Sequence, residues 1–357
     1  MGSCSEFPFS ELCGAIHIHT RFSDGEVDFQ ELISAAQEVG LDYIVVTDHM
    51  TLEGKERHYE GVYNNLLVVI GYEHNDLQDK NHYLIMGVDT VIEEQHSPQK
   101  YIAAVKDAGG IGFLAHPAEK RRYFKQYPSY PWTAWEVTGY DGIELWNHMS
   151  EWVENLKSWR SYIRIFYPRR FLKGAPHSLI KRWDKINRER FVSGIGGVDA
   201  HTFHIRKGIF SIQIFPIKVE LKGIRTHLYI DNQYKETEFS SKIDILLTAL
   251  KNGSGFISNY RRGDARGTRM AVQFADGTCI PPGYCDELPV YPANLSVTIP
   301  AKAEIRLIQN GREVGRKSGD TAEFELHEKG LYRIEVYRRK KAWIYSNPFP
   351  LGTYPLY

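Results

Sequence analysis

The chain has 357 residues, which is long enough for one large domain and a small second one. Of these residues 42% are hydrophobic and 25% charged, the composition of a globular protein. Its 44 basic and 44 acidic residues cancel, so the overall charge does not indicate nucleic acid or a membrane surface as a partner. Four cysteines are too few for a disulfide framework, no apolar run is long enough to span a bilayer, and residues 1–12 lack the features of a signal peptide, which together indicate a cytoplasmic protein.

From residue 14 to about residue 258, strand-like segments alternate with helix-like ones. The first helix is expected at residues 28–39, where Asp28 can cap it, Glu31 completes a capping box and Gly40 ends it. Further helices are expected at residues 97–109 and 176–188, and strands at residues 15–19, 41–47, 66–72, 82–88, 111–115, 142–146 and 192–198. This alternation predicts parallel strands in an α/β barrel or open sheet, with the chemistry at their carboxyl ends.

After about residue 267 the pattern changes to period-two alternation at residues 303–309, 322–327 and 331–338. The turn sequences Asn310-Gly311 and Lys329-Gly330 separate these segments. We therefore expect two domains: residues 1–267 as a barrel of alternating strands and helices, and residues 268–357 as a small antiparallel, β-sandwich-like domain.

Residues that bind transition metals recur at the ends of the predicted strands. His17 and His19 are two residues apart, so both imidazoles lie on one side of a strand, and His49 and His201 also follow apolar runs. Each motif alone is also explained by polar strand residues, but together they predict a site for two or three ions. The candidate ligands are His17, His19, Asp24, His49, Glu73, His82, His116, Asp199 and His201. Imidazole and carboxylate without thiolate suit Zn, Mn or Fe.

The motifs follow one another in the order H-I-H-T, S-D-G, T-D-H, G-Y-E, H-Y-L-I-M-G, A-H-P and D-A-H. In this order the segment 14–258 resembles the PHP (polymerase and histidinol phosphatase) family. The resemblance implies a distorted (β/α)7 TIM-like barrel with a two- or three-metal centre. It assigns the ligands of the three metals as His17, His19, Glu73 and Asp199; Glu73 as a bridge with His82 and His116; and Asp24, His49 and His201. Trp183-Asp184 and a C-terminal β domain ending in Ser346-Asn347-Pro348 are similar to the branch named after carbaryl hydrolases.

This chemistry predicts a metal-dependent hydrolase in which a metal-bridging hydroxide attacks a small, anionic phosphate ester. Three carboxylate ligands against three divalent ions leave a formal charge of about +3, which favours an anion, whereas a two-metal centre would be nearly neutral. The catalytic residues are expected to be Glu73, Asp199, His201 and, for phosphate recognition, Arg206. Two alternatives remain open at this point: hydrolysis of a carbamate or carboxylic ester, and a non-catalytic PHP-like structural module. The oligomeric state is also open.

Each of the remaining side chains is compatible with more than one role. Glu144 is as compatible with a paired core carboxylate as with a catalytic one, and His74 is interpreted as a residue behind the ligands or at the surface. Arg121 lies in a predicted loop and has a basic neighbour, for which a solvated surface is favoured over phosphate recognition. Residues 127–171 are rich in aromatic side chains, for which packing is favoured over a lid that covers the site.

Overall fold

The computed structural model describes residues 7–93, 97–121, 128–156, 161, 167, 169–207, 210–283 and 292–352, which form a mixed α/β structure. Its helices are α1 Phe29–Glu38, α2 Glu53–Glu56, α3 Pro98–Asp107, α4 His148–Glu154, α5 His177–Ile186, α6 Ile217–Glu220 and α7 Phe239–Lys251. Its strands are β1 Phe9–Ile16, β2 Tyr43–Val46, β3 Gly61–Tyr63, β4 Leu66–Ile70, β5 Tyr72–His74, β6 Tyr83–Met86, β7 Ile111–Leu114, β8 Gly142–Asn147, β9 Ser193–Gly197, β10 Phe203–Lys207, β11 Phe210–Ile214, β12 Ile224–Asp231, β13 Gly255–Asn259, β14 Arg269–Phe274, β15 Cys279–Ile280, β16 Ala293–Gln309, β17 Arg312–Leu326, β18 Gly330–Arg338, β19 Lys341–Ser346 and β20 Phe349–Leu351. Within these ranges, no helix has both the length and the apolar character needed to cross a bilayer.

Helix α1 shows how local sequence places the elements as predicted. The Asp28 side chain accepts a hydrogen bond of 2.9 Å from the backbone N–H of Glu31, so the predicted cap is confirmed. Leu32 and Ala36 lie one turn apart and are fully buried. Gly40 follows with a φ of 69°, a left-handed conformation that glycine adopts without strain and that ends the helix.

Two sheets meet edge to edge around the candidate site. Strands β1, β2 and β4 pair in parallel in one sheet, and β5 to β9 form the other. At one junction the Val198 N–H donates to the Ile16 carbonyl at 2.9 Å, and at the opposite junction the Glu73 N–H donates to the Asp48 carbonyl at 3.1 Å. These backbone bonds connect β9 to β1 and β2 to β5, so the strands follow one another around a common interior.

Alternate strand residues supply two separate cores. Ala15 and Ile44 belong to a buried cluster that also contains Leu32 of helix α1. Val45 and Leu84 belong to a second cluster of buried strand residues. Successive side chains of a strand point to opposite faces, which explains why neighbouring residues enter different clusters.

The prediction of parallel strands throughout this region was wrong at several places. Strand β3 pairs antiparallel with β4, and β12 pairs antiparallel with β1 and β13. Strand β6 pairs antiparallel with both β5 and β7. A parallel connection needs a crossover of a dozen or more residues, usually with a helix. Only residues 75–82 join β5 to β6, and they form a hairpin loop. The predicted strand at residues 66–72 covers β4 and only the first residue of β5, so the sequence did not reveal β5 as a separate strand joined to β6 by a hairpin.

The strands after residue 267 pair antiparallel, as predicted. Asn310 and Gly311, with φ values of 51° and 81°, form the turn between β16 and β17. Strand β17 begins at Arg312, ten residues before the predicted start, because its first part is mostly exposed and lacks the apolar alternation that would reveal it. Backbone pairing of β13 with β19 crosses residue 267, so one sheet spans both parts of the chain.

A buried ion cluster joins helix α5 to the C-terminal strands. The Arg333 guanidinium donates to both oxygens of Asp184, at 2.8 and 2.9 Å, and also contacts Glu335. All three side chains are buried. Such a cluster contributes little when complete, but removal of its cation leaves carboxylates in a poorly solvated interior.

Replacement of this cation should therefore be strongly destabilising. We expect Arg333→Met to lower the free energy of unfolding by about 3–5 kcal/mol, measured by urea denaturation. The matched control is Arg316→Met, since Arg316 is 49% exposed and pairs with Glu313 at 2.7 Å on the surface. Arg316→Met should lower the free energy of unfolding by about 1 kcal/mol or less. Equal urea midpoints for the two variants would show that the buried cluster does not stabilise the fold.

Candidate metal centre

Strand ends bring the predicted ligands to one edge. His17 and His19 follow β1, His49 follows β2, and Glu73 lies within β5. His82 precedes β6 rather than following it, and since β6 runs antiparallel to β7, its first residue lies at the same edge. The remaining ligands are Asp24, in the loop between β1 and α1, His116, after β7, and Asp199 and His201, after β9.

The backbone at three of these positions is unusual. His17, His116 and Asp199 have φ values of 69°, 28° and 51°, which non-glycine residues rarely adopt. Each residue follows a strand directly or by one position and is buried. Such conformations cost of order 1–3 kcal/mol each and concentrate at functional sites. The strain turns these side chains toward the common interior, and no residue type in the sequence indicated it.

Glu73 lies at the centre of the imidazoles. Its Oε1 is 2.8 Å from His82 Nδ1 and 2.9 Å from His116 Nε2. Its Oε2 is 3.0 Å from His17 Nε2 and 3.2 Å from His19 Nε2. One buried carboxylate thus faces two pairs of ring nitrogens with its two oxygens, which is the geometry that a carboxylate bridging two ions requires.

A second group of donors lies nearer to solvent. Both oxygens of Asp24 are 3.1 Å from His201 Nε2, and Asp24 Oδ2 is 3.7 Å from His49 Nε2. His19 Nδ1 is 3.4 Å from Asp24 Oδ1, so His19 lies between this group and Glu73. The Asp24 side chain is 55% exposed, which opens this side of the centre to solvent. The resemblance assigned His19 to the first metal alone, whereas the geometry brings it within reach of both groups.

All nine predicted ligands fall into groups in which one donor atom of each residue lies within 4.8 Å of the others. The fit to metal is further supported by His19 Nε2, which is buried and lies 3.2 Å from Glu73 Oε2 but, within the described ranges, makes no well-aligned hydrogen bond. Burial and the neighbouring His201 lower the pKa of His19 to about 3, so its ring is neutral at physiological pH. A neutral imidazole with an unpaired nitrogen among carboxylates is the state that a metal ion requires.

Several other rings hold protons that an ion would have to displace. Burial opposes protonation of His82, but the Glu73 carboxylate outweighs it and raises the pKa to about 9. At His201, burial is outweighed by Asp24 and Asp199, and the pKa also rises to about 9. Burial opposes ionisation of Glu73, yet the surrounding imidazoles hold its pKa well below the usual value. Metal binding here is therefore coupled to proton release and strengthens as pH rises.

Glu144 and Asn147 hold the ligands from behind. Glu144 Oε1 accepts from His17 Nδ1 at 3.0 Å, and Oε2 accepts from the His116 backbone N–H at 2.6 Å. Asn147 Nδ2 donates to Glu144 at 2.9 Å and to Asp199 at 3.2 Å. Of the two roles considered for Glu144, the paired core carboxylate is the one observed. In the sequence, Glu144 was marked by being a glutamate inside an apolar strand, whereas no feature marked Asn147.

Asp48, in the T-D-H motif, shapes the loop that carries Asp24. Its carboxylate accepts from the Thr20 backbone and hydroxyl, both at 2.7 Å, and from the Ser23 hydroxyl at 2.6 Å. These bonds fix the turn between His19 and Asp24, although Asp48 lies in none of the donor groups.

The structure describes only some of the side chains that were expected to contact a substrate. Arg206 lies in β10, but its side chain is outside the described residues. Arg121 is paired with Glu119 at 2.8 Å and lies over the ring of Tyr130, which stacks on His82 with centroids 4.8 Å apart. In the aromatic segment, the side chains of residues 132, 140, 146 and 152 are buried, which agrees with packing. Residues 130 and 135 are half-buried and residue 167 is exposed, while residues 159, 162 and 166 lie outside the described ranges.

Comparison with known proteins agrees with the site. Residues 15–144 match the PHP domain, and this range includes every predicted ligand except Asp199 and His201. One similar solved structure is a two-domain protein containing a predicted PHP-like metal-dependent phosphoesterase from Bacteroides vulgatus ATCC 8482, with 16% identity, 96% of each chain covered and a TM-score of 0.48. Another is PsfC from Pseudomonas syringae PB-5123, with 12% identity, 65% of this chain and 88% of that chain covered, and a TM-score of 0.42. No curated protein matches this chain.

Proposed function

We propose that this chain, which carries a PHP domain at residues 15–144, is a metal-dependent hydrolase that cleaves a small phosphate ester. The observation that carries the proposal is the convergence of imidazoles on both oxygens of the buried Glu73, with a second donor group beside it. We interpret the circuit of strands around this site as the distorted (β/α)7 barrel, with residues 268–357 as a second domain. The buried, free thiol of Cys13 suits the cytoplasm as the proposed compartment.

The residues of the site have different proposed roles. The proposed ligands are His17, His19, Asp24, His49, Glu73, His82, His116, Asp199 and His201. When bound, two or three Zn, Mn or Fe ions would polarise the substrate and lower the pKa of a coordinated water. Glu144 and Asn147 orient ligands that are already strained, which reduces the reorganisation needed during the reaction. The exposed side of Asp24 gives a substrate its route of approach. Arg206 remains a proposed phosphate contact.

Charge supports an anionic substrate when three ions are present. Beside the ligand carboxylates, Glu144 contacts His17 at 3.0 Å and Asp79 contacts His82 at 3.3 Å. With these two included, three divalent ions leave a formal charge of about +1, and two ions about −1. A three-metal centre therefore still attracts phosphate, more weakly than the ligand count alone predicts.

The same count of charges leaves open the alternative in which the substrate is a neutral carbamate or carboxylic ester. A two-metal centre surrounded by five carboxylates would repel a phosphate and suit a neutral carbamate or carboxylic ester. The third possibility, a non-catalytic module, is disfavoured because all nine candidate ligands are present, whereas a module that had lost its activity would be expected to have lost some of them.

Hydrolysis of a generic phosphate monoester tests the proposal. We expect turnover by protein reconstituted with Zn, Mn or Fe, loss of turnover with a chelator, and recovery when the metal is returned. Hydrolysis that a chelator does not affect, or a metal-loaded protein that cleaves carbamates but no phosphate ester, would contradict the phosphoesterase assignment.

A further inference from the structure

The hairpin loop at residues 75–82 connects two imidazoles of the centre by a chain of hydrogen bonds. Asp79 Oδ1 accepts from His82 Nε2 at 3.3 Å and from Asn75 Nδ2 at 3.0 Å. Asn75 Oδ1 in turn accepts from His49 Nδ1 at 2.9 Å. Asp79 and Asn75, which connect His82 to His49, are not among the proposed ligands.

This path determines which ring nitrogen faces the site. With the proton on Nε2, His82 keeps its lone pair on Nδ1, which lies 2.8 Å from Glu73. With the proton on Nδ1, His49 keeps its lone pair on Nε2, which lies 3.7 Å from Asp24. The free nitrogen of His82 thus faces the donors around Glu73, and that of His49 faces the donors around Asp24. His49 also borders the first group, since its Nδ1 lies 3.6 Å from Glu73 Oε2.

The loop is built to hold Asp79 in place. The Asp76 carboxylate accepts from the Lys80 backbone at 2.7 Å and from the Asn81 amide at 2.9 Å. Asn81 Oδ1 accepts from the Thr133 backbone N–H at 2.6 Å, which anchors the loop to another segment. Asp79 itself has a φ of 52°, and its side chain is 59% exposed. Because Asp79 is strained and its side chain is exposed, it contributes little to the core. We therefore infer that its role is to contact His82 and Asn75.

We propose that Asn75 and Asp79 couple the two donor groups, so that an ion bound by His82 strengthens binding of an ion by His49, and the reverse. An ion on His82 fixes its ring and thereby Asp79, which fixes Asn75 and the ring of His49. Linkage requires the effect to be reciprocal. This inference rests on the proposed metal-dependent function and assigns Asn75 and Asp79 as positioning residues.

The test is titration of metal-depleted protein with Co²⁺, followed by visible absorption, which reports coordination independently of catalysis. Asp79→Gly removes the carboxylate while glycine tolerates the backbone conformation. We expect it to weaken binding of both ions by about 10–100-fold, the usual effect of losing a group that orients ligands. The matched control is Asn64→Gly, since Asn64 is an exposed residue with a φ of 56° in the turn between β3 and β4. The control should titrate as wild type.

Two further variants separate coupling from simple support of one ring. Asn75→Ala leaves the contact between Asp79 and His82 intact, yet coupling predicts weaker binding of both ions. Asp79→Asn keeps a hydrogen-bonding oxygen and should show an intermediate loss. Asn75→Ala that weakens only one ion, or Asp79→Gly that titrates like Asn64→Gly, would overturn the coupling while leaving the proposed function in place. Wild-type protein that binds no Co²⁺ would overturn both.

Discussion

Glu73→Gln is expected to weaken two metal sites together and to reduce hydrolysis by at least about a hundredfold, since loss of an outer partner of a metal ligand already costs 10–100-fold. The physical reason is that each oxygen of Glu73 faces a different pair of imidazoles, at 2.8 to 3.2 Å. An amide has one acceptor atom and no charge, so it cannot serve both pairs. Metal content after dialysis and kcat on a phosphate monoester would measure the two effects.

The matched control for this carboxylate-to-amide change is Glu151→Gln. Glu151 accepts hydrogen bonds from the Trp146 indole at 2.7 Å and from the Lys173 backbone at 2.5 Å, and it is in none of the donor groups. The control should keep its metal and its turnover. If Glu73→Gln lost one ion and kept full turnover, the bridging role would be wrong.

Asp24→Ala and His49→Ala should reduce turnover of a phosphate monoester by about 10²–10³-fold, because a group that stabilises charge in the transition state is lost. Both residues belong to the solvent-facing donor group, and a third ion there is what makes the centre positive. Activity on an aryl carbamate, assayed side by side, should fall less. Asp89→Ala, which removes an exposed carboxylate paired with Lys55, serves as the control.

The comparison of the two substrates decides between the alternatives. Wild type that cleaves only the carbamate would replace the phosphoesterase proposal with the neutral-ester one. Variants that lose carbamate and phosphate turnover to the same extent would show that charge does not select the substrate, even with the metal ligands correctly assigned.

The sequence predicted the elements that local signals define. Helix α1 forms where Asp28 can cap it, and the turn at Asn310-Gly311 forms because both residues tolerate positive φ. The candidate ligands could be proposed from the sequence because metal chemistry restricts residue type, and strand ends place such residues at one edge. The structure brings their donor atoms within 4.8 Å of one another in groups.

What the sequence could not reveal depends on long-range geometry. The antiparallel direction of β6, the left-handed backbone at His17 and the contact of Glu144 with that ring all arise from packing between distant segments. Asn75 and Asp79 were missed for the same reason, since polar residues in a hairpin loop are ordinarily solvated. Their relation to His49 and His82 becomes visible only in three dimensions.

Elemental analysis of the protein purified without chelator tests the central claim most directly. The account predicts at least two transition-metal ions per chain, bound at the donor groups around Glu73 and Asp24. Glu73→Gln, purified in parallel, should contain fewer. A wild-type protein that is folded but metal-free, and that takes up neither Zn, Mn nor Fe on reconstitution, would contradict the metal centre and with it the proposed hydrolase function.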